Sequence, residues 1–159
     1  MEFEKKLNTI YQKIAQKISD MIPDSWEKFY FNGEVKDGDG GVYFFFQVDS
    51  LEENIYSHYI PKIYGIDKSE YNKSLHDLFL LTKELQQVFI DNNQEAWFSV
   101  NMIVSSEGKL KVHFDYTDWT KTEYGPSTRV EYFLYKFAQV LPSNEADLAK
   151  LREMEKYEE

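Results

Sequence analysis

A helical pattern in the middle of the chain, with a strand pattern on either side, most strongly limits the folds open to this sequence. Apolar side chains recur at every third or fourth position from Tyr71 to Phe89. Asp67 followed by Glu70 has the spacing of a capping box, which begins a helix. The sequence therefore predicts an amphipathic helix that begins after Asp67 and ends near Asp91.

Before this helix, the sequence predicts another helix, a hairpin and a third strand. Apolar residues recur at helical spacing as far as Met21, and Pro23 ends that pattern. Aromatic and β-branched residues then form two runs around a Gly-rich turn, which is typical of a hairpin, and Pro61 stops a third such run. The predicted elements are a helix over 3–21, strands over 26–35 and 42–48 with a turn over 36–41, and a strand over 55–60.

After the central helix, the sequence predicts a second hairpin and one or two C-terminal helices. Apolar and polar residues alternate on both sides of a turn at 106–108, as they do in strands with one buried face. The run from Tyr132 to Phe137 suits a helix or an aromatic strand, and both interpretations stay open. The predicted elements are strands over 97–104 and 110–116, a helix or strand over 130–137, and a helix from Pro142 and Ser143 to about Lys156.

The order of these elements favours an α+β fold. Hairpins in place of strand–helix–strand units indicate an antiparallel β-sheet, here packed against an N-terminal helix, the long central helix and C-terminal helices. A chain of 159 residues has the usual length of one domain. We expect a single domain over 1–141 and an acidic helical extension over 142–159, since the last 15 residues carry a net charge of −3.

Composition excludes several classes of function. The chain has no cysteine, which excludes disulfides, thiolate nucleophiles and thiolate metal sites, and favours a reducing cytoplasm. The first 20 residues carry charges throughout, unlike a signal peptide, and no apolar run approaches the roughly 20 residues that span a bilayer. We therefore expect a cytoplasmic protein without membrane contact.

The acidity of the chain predicts the kind of partner. Its net charge is −10, and a chain this acidic repels phosphate backbones, so we expect a basic protein as partner and no direct contact with nucleic acid. Residues 34–54 hold six acids against one lysine, a net charge of −5. This segment either docks a basic protein or is a solvated turn that keeps the hairpin soluble. The six acids are Glu34, Asp37, Asp39, Asp49, Glu52 and Glu53.

The motifs for metal binding and catalysis are weak. Residues 37–41 alternate Asp and Gly as a calcium loop does, but Val48 occupies the twelfth position, where an EF-hand has a bidentate Glu. His113, Asp115 and Asp118 could converge in space as a metal-dependent hydrolase site, although such residues without chelate spacing are more often structural. We therefore predict no catalytic residue, no metal site and no cofactor.

Several Tyr and Trp side chains are candidates for contact with a partner. They combine a large contact area with a polar tip, as interface anchors do. Alternate rings of the run 43–46 must instead face the helices, so at least half of them are expected in the core. The side chains whose role the sequence leaves open are Tyr30, Tyr43, Tyr56, Tyr59, Tyr116, Trp119 and Tyr124.

Six short runs of the sequence form one pattern. They are Ile10-Tyr11-Gln12-Lys13-Ile14-Ala15, Met21-Ile22-Pro23-Asp24-Ser25-Trp26-Glu27-Lys28, Gly41-Val42-Tyr43-Phe44-Phe45-Phe46, Ile55-Tyr56-Ser57-His58-Tyr59-Ile60-Pro61, Glu95-Ala96-Trp97 and His113-Phe114-Asp115-Tyr116. Together and in this order, they resemble the YezG-like family of bacterial immunity proteins. The resemblance covers roughly residues 5 to 137 and leaves out the tail after Leu141.

The resemblance implies an antitoxin. Such a protein is cytoplasmic and not an enzyme, and it binds the C-terminal nuclease domain of a polymorphic toxin exported by a type VII-like (LXG-like) secretion system. Nucleases present basic clefts, which an acidic inhibitor can cover. The alternatives are an acidic adaptor with another basic protein partner and a metal-dependent hydrolase.

The resemblance also suggests roles for the acidic and aromatic candidates. We expect the acids of 34–54 to steer association with the toxin, and some of the aromatic residues to be buried anchors in the complex. The predicted partner-contact residues are Glu34, Asp37, Asp39, Tyr43, Asp49, Glu52, Glu53, Tyr116, Trp119 and Tyr124.

Overall fold

Five strands form one antiparallel sheet in the computed structural model, which describes residues 2–49 and 53–158. The strands are β1 (Trp26–Lys36), β2 (Asp39–Val48), β3 (Ile55–Tyr56), β4 (Ser99–Ser105) and β5 (Leu110–Asp115). The helices are α1 (Glu2–Met21), α2 (Ile60–Tyr64), α3 (Lys68–Asp91), α4 (Pro126–Ala138) and α5 (Glu145–Tyr157). The strand order across the sheet is β3-β2-β1-β4-β5, so β1 is central. The predicted α+β fold with an antiparallel sheet and N-terminal, central and C-terminal helices is confirmed.

The chain divides into two compact units, Met1–Phe114 and Asp115–Glu159. The first contains α1, α2, α3, strands β1 to β4 and β5 as far as Phe114, and the second begins with Asp115, the last residue of β5, and contains α4 and α5. The expected division between a domain over 1–141 and an extension over 142–159 stays a prediction. Among the helices that the structure describes, none has the length and apolar character needed to cross a membrane.

One face of the sheet forms the core of the first unit with α1 and α3. Phe29 and Phe31 of β1 lie on this face, and β2 adds Phe44 and Phe46 because every second side chain points the same way. All four rings are completely buried, and each such burial is worth about 1.5–3 kcal/mol. The stripe of α1 that packs here consists of Ile10, Ile14 and Ile18.

Helix α3 packs closely against β1, as contacts at two positions of the helix show. A Cβ atom on Gly33 would lie 2.7 Å from Thr82 Cγ2, so the close approach requires glycine at this position of β1. One turn further along α3, the buried Gln86 Nε2 donates hydrogen bonds to the carbonyl oxygens of Val35, at 3.0 Å, and Trp97, at 2.6 Å. The helix thereby fixes the end of β1 and the start of the second hairpin.

The turn between β1 and β2 is tight. Asp37 and Gly38 both have positive φ, 52° and 81°, and they connect the paired residues Lys36 and Asp39. Positive φ at both central residues is the requirement of a type I′ turn, and Asp-Gly is a favoured sequence for it. This two-residue turn therefore places Asp37 and Gly38 directly at the end of the β1–β2 hairpin.

The predicted third strand was wrong beyond Tyr56. The chain leaves the sheet there because the hydroxyl of Ser57, which is fully buried, accepts the hydrogen bond from the Phe44 N–H at 3.1 Å. A short 3₁₀ turn over Ser57–Tyr59 leads directly into α2. Pro61 lies in the first turn of α2, where its missing N–H costs nothing, so it marks the start of a helix and not the end of a strand.

The second unit is a pair of helices over a small aromatic core. The segment 130–137, which the sequence allowed as a helix or a strand, belongs to α4. Helix α5 begins later than Pro142 and Ser143 suggested, because Asn144 is its N-cap and accepts a hydrogen bond from the Asp147 N–H at 2.8 Å. The buried residues of the unit include Trp119, Tyr124, Tyr132, Phe133, Leu151 and Met154.

Candidate partner-binding surface

The acidic segment of the sequence forms two separate groups in space. Asp37 and Asp39 are exposed at the hairpin tip, where β2 begins, and Asp49 and Glu53 are exposed beyond its other end. Because a strand rises about 3.3 Å per residue, the two ends of this ten-residue strand lie about 30 Å apart. Glu52, a further predicted contact, lies outside the described residues. We call the two groups the tip acids (Asp37, Asp39) and the loop acids (Asp49, Glu53).

The hairpin tip carries lysines beside its acids. Lys36 is paired with Asp39 across the turn, and Lys83 of α3 reaches the tip, since its Nζ would lie 3.9 Å from a Cβ atom on Gly38. Asp39 also accepts a hydrogen bond from the Gly40 N–H at 2.9 Å, which orients its carboxylate. Glu34, also a predicted contact, is only half-exposed on β1. The two tip acids are therefore matched in number by two lysines, so the tip is less negative than the sequence segment suggests.

Tyr43 belongs to a layer of aromatic rings on the second face of the sheet. Its ring lies 6.0 Å from the ring of Phe45 and 6.0 Å from that of Tyr56, in edge-to-face geometry with both. Phe45 and Tyr56 are stacked at 4.8 Å across the β2–β3 pair. The predicted contact Tyr43 is thus half-buried and held by its neighbours.

The three aromatic candidates of the second unit differ sharply in exposure. Tyr116 is 48% exposed, whereas Trp119 is 3% and Tyr124 is 5% exposed. The Trp119 indole N–H donates to Asp115 Oδ2 at 2.6 Å, and its ring contacts those of Tyr124 and Tyr132 at 5.9 and 5.6 Å. A partner could reach Trp119 or Tyr124 only if the unit opened. Their role as anchors stays a prediction, and Tyr116 is the accessible residue of the three.

Tyrosine–glutamate hydrogen bonds hold α5 in the second unit. Tyr135 donates to Glu155 at 2.5 Å, and Tyr132 donates to Glu158, whose carboxylate also binds Lys136 Nζ at 2.6 Å. Burial, and then the Glu158 carboxylate, raise the pKa of Tyr132 well above its usual range, so the hydroxyl stays protonated and can donate. Two of the C-terminal acids, Glu155 and Glu158, are therefore engaged by tyrosine hydroxyls of the second unit. These pairs cannot be recognised from the sequence, because their members are 20 and 26 positions apart.

The residues of the hydrolase alternative have structural partners. The Asp115 carboxylate accepts hydrogen bonds from the Trp119 indole and from the Thr117 N–H at 3.0 Å. Asp118 caps the following 3₁₀ turn by accepting from the Thr120 N–H at 3.1 Å. Residues 2–49 and 53–158 contain no group of three or more His, Asp or Glu side chains placed to hold a metal ion.

An exposed apolar pair on the turn before α3 was not singled out as a pair from the sequence. Tyr59, the N-cap of α2, is 57% exposed, and Ile63, four positions later within α2, is 53% exposed, so both lie on one side of this short helix. Apolar side chains this exposed are typical of interaction surfaces when they occur together. Their spacing of four positions is visible in the sequence, but it places them on one side only because the segment is helical, and the sequence predicted a strand over 55–60 instead.

Comparison with known proteins gives consistent similarities over nearly the whole chain. A family model described as "Immunity protein YezG-like" matches residues 7–152. The chain is 38% identical to a Staphylococcus aureus protein named "Type VII secretion system protein EsaG", over 99% of this chain and 96% of that protein. It is 31% and 30% identical to proteins named "Immunity protein YezG" from Bacillus spizizenii and Bacillus subtilis, over 86% and 89% of this chain and 85% and 93% of theirs.

Proposed function

Because the chain belongs to the YezG-like immunity protein family, we propose that it is an antitoxin that binds and neutralises a secreted bacterial toxin by direct protein–protein contact. The observation that carries this proposal is the extent of the similarity, which includes both compact units: the family model matches from α1 to within α5. The role is that of a non-catalytic inhibitor in the cytoplasm of the producing cell.

The proposed target is the nuclease domain of a toxin exported by a type VII secretion system. The name of the Staphylococcus aureus relative supports the link to this secretion system. The net charge of −10 supports a basic target, because a domain that cuts nucleic acid must attract phosphates with Lys and Arg. An acidic protein is attracted to the same basic surface, and once bound there it blocks access of the nucleic-acid substrate.

Co-expression with the toxin tests this function directly. A strain that produces the C-terminal nuclease domain of a candidate type VII-secreted toxin should stop growing, and co-expression of the chain should restore growth. The two proteins should also co-purify in a defined ratio. Growth arrest despite co-expression, together with no co-purification, would contradict the proposal for that toxin. Co-purification without rescue would point to the adaptor alternative.

The acids exposed at the two ends of β2 are proposed to steer association. Replacing the tip acids and loop acids together (Asp37→Asn, Asp39→Asn, Asp49→Asn, Glu53→Gln) is expected to lower the association rate constant about tenfold at low salt. The loss should shrink at about 1 M salt, where the screening length is only about 3 Å. Stopped-flow or surface-plasmon kinetics over a salt series measure both quantities.

Each pair of acids can be compared with a control of equal charge. Glu2 and Glu4 are exposed in the first turn of α1, so Glu2→Gln with Glu4→Gln removes the same two charges away from β2. Steering by a local surface predicts a larger loss of rate for the tip pair or the loop pair than for this control. Equal effects would mean that only net charge matters. If the association rate constant and its salt dependence were unchanged in the fourfold variant, the steering hypothesis would be wrong.

A further inference from the structure

Strand β2 extends well past its outer neighbour β3. β3 is two residues long and pairs only with Phe45 and Phe46, and the chain then turns away at Ser57. Within residues 2–49 and 53–158, no strand lies beside the first half of β2, from Asp39 to Phe44. We call Gly40–Tyr43 the open edge of β2.

The backbone groups that face outward along the open edge can be identified by alternation. The N–H of Phe44 points away from β1, since it donates to the Ser57 hydroxyl. Successive residues of a strand direct their backbone groups to opposite sides, so Val42 also directs its N–H and C=O outward. The Val35 N–H supports this assignment. It donates to the Phe98 carbonyl oxygen, on the side of β1 away from β2, as expected if Gly40, the partner of Val35 on β2, also directs its backbone groups outward. Among the described residues, no hydrogen-bond partner is found for the outward N–H and C=O of Val42.

The exposed part of the open edge is its start, at Gly40 and Gly41, since the Val42 residue as a whole is 6% exposed. A Cβ atom built on Gly41 would point out from the face of the sheet, and it would meet nothing within 4 Å. Its φ lies outside the left-handed region, so neither conformation nor packing within the chain requires glycine there. Glycine in a strand often marks a position where another backbone comes close. An unpaired donor and acceptor beside such a residue form a template for strand addition.

We propose that the open edge of β2 binds a short extended segment of the toxin by β-strand addition. This inference rests on the proposed function and adds the contact that would hold the toxin. Main-chain hydrogen bonds to Val42 supply the pairing, as in other complexes formed by strand addition. The added strand continues the line of β3, so its length is limited to about four residues by the Ser57–Tyr59 turn.

A second copy of the chain does not fit this edge. Antiparallel pairing of two β2 edges about Val42 would drive each hairpin tip against the β3 strand and the 3₁₀ turn of the other copy. Two chains of net charge −10 also repel each other, whereas a basic toxin domain is attracted. The occupant is therefore a segment of the oppositely charged partner.

Amide hydrogen exchange tests the proposal on the unaltered protein. The chain is labelled with ¹⁵N and measured by NMR alone and in complex with an unlabelled, catalytically inactive toxin domain. The Val42 amide, which has no hydrogen-bond partner among the described residues, should exchange about 100-fold more slowly in the complex than in the free chain. The Val35 and Phe44 amides, which already donate hydrogen bonds, serve as controls and should be protected in both states.

A second readout separates strand pairing from simple burial. In an added antiparallel strand, the outward Hα of Gly41 lies close to an Hα of the partner, which gives an intermolecular nuclear Overhauser effect. Protection of Val42 without this effect, or a complex in which Val42 exchange is unchanged, would overturn the proposal. So would protection of Val42 in the concentrated free chain, which would indicate self-association. Failure to form any complex would instead count against the proposed function.

Discussion

Replacing Trp119 with alanine is expected to unfold the second unit while the first stays folded. The indole is buried, contacts the rings of Tyr124, Tyr132 and Tyr157, and donates to Asp115. Removing a buried Trp typically costs about 3–5 kcal/mol. A unit of this size has a small core, so a loss of this magnitude approaches its whole stability. Amide exchange of α4 and α5, compared with that of the sheet, measures the effect.

Trp119→Phe is the matched variant for this prediction. It keeps an aromatic ring in the core but removes the N–H that binds Asp115, so we expect a smaller loss, of about 1–3 kcal/mol. If Trp119→Ala left the protection of α4 and α5 unchanged, the ring would not be part of the interior of the free protein. Its predicted role as an exposed anchor would then become the better account.

Replacing Gln86 with methionine is expected to lower the free energy of unfolding of the first unit by about 2–5 kcal/mol. The side chain keeps its approximate volume but loses the amide that donates to the Val35 and Trp97 carbonyls. Each buried carbonyl left without a donor costs about 1–3 kcal/mol. Denaturant unfolding followed by circular dichroism measures the change as a shift of the midpoint.

Gln87→Met is the control, one position along the same helix. Gln87 is exposed and its amide donates only to Asp91 one turn further on, so its loss should cost less than about 0.5 kcal/mol. Similar midpoints for the two variants would show that the carbonyls of Val35 and Trp97 find other donors. The role given to Gln86, joining β1 to the second hairpin, would then be wrong.

Local patterns account for most of the fold that could be predicted. The central helix was predicted from Asp67 to Asp91 because its cap and its periodicity lie within the segment itself, and α3 has these bounds to within a residue. The end of β3 could not be predicted, because it depends on a hydrogen bond between Ser57 and Phe44 on another strand. The aromatic and β-branched residues that follow are equally compatible with a strand.

For the candidate contact residues, position in the sequence predicts neither their distance from one another in space nor their exposure. The six acids of 34–54 are neighbours in the sequence, yet a ten-residue strand separates those of the tip from those of the loop. Trp119 and Tyr116 are large aromatic residues only three positions apart, and only the structure shows that the first is buried and the second exposed. Neither spacing nor composition carries that information. The family resemblance was confirmed, and the contact residues stay a prediction.

The length of β2 also sets the size of any footprint that includes both acidic groups. An ordinary interface buries roughly 800 Å² on each partner, which is a circle about 32 Å across. The tip acids and loop acids are about 30 Å apart, so they fit within one such circle only as opposite points of its rim. The centre of that circle falls on the middle of β2, near Tyr43 and Phe44, directly beside the open edge. A toxin held there would meet one acidic group on each side, and its rotation about the contact would be restricted.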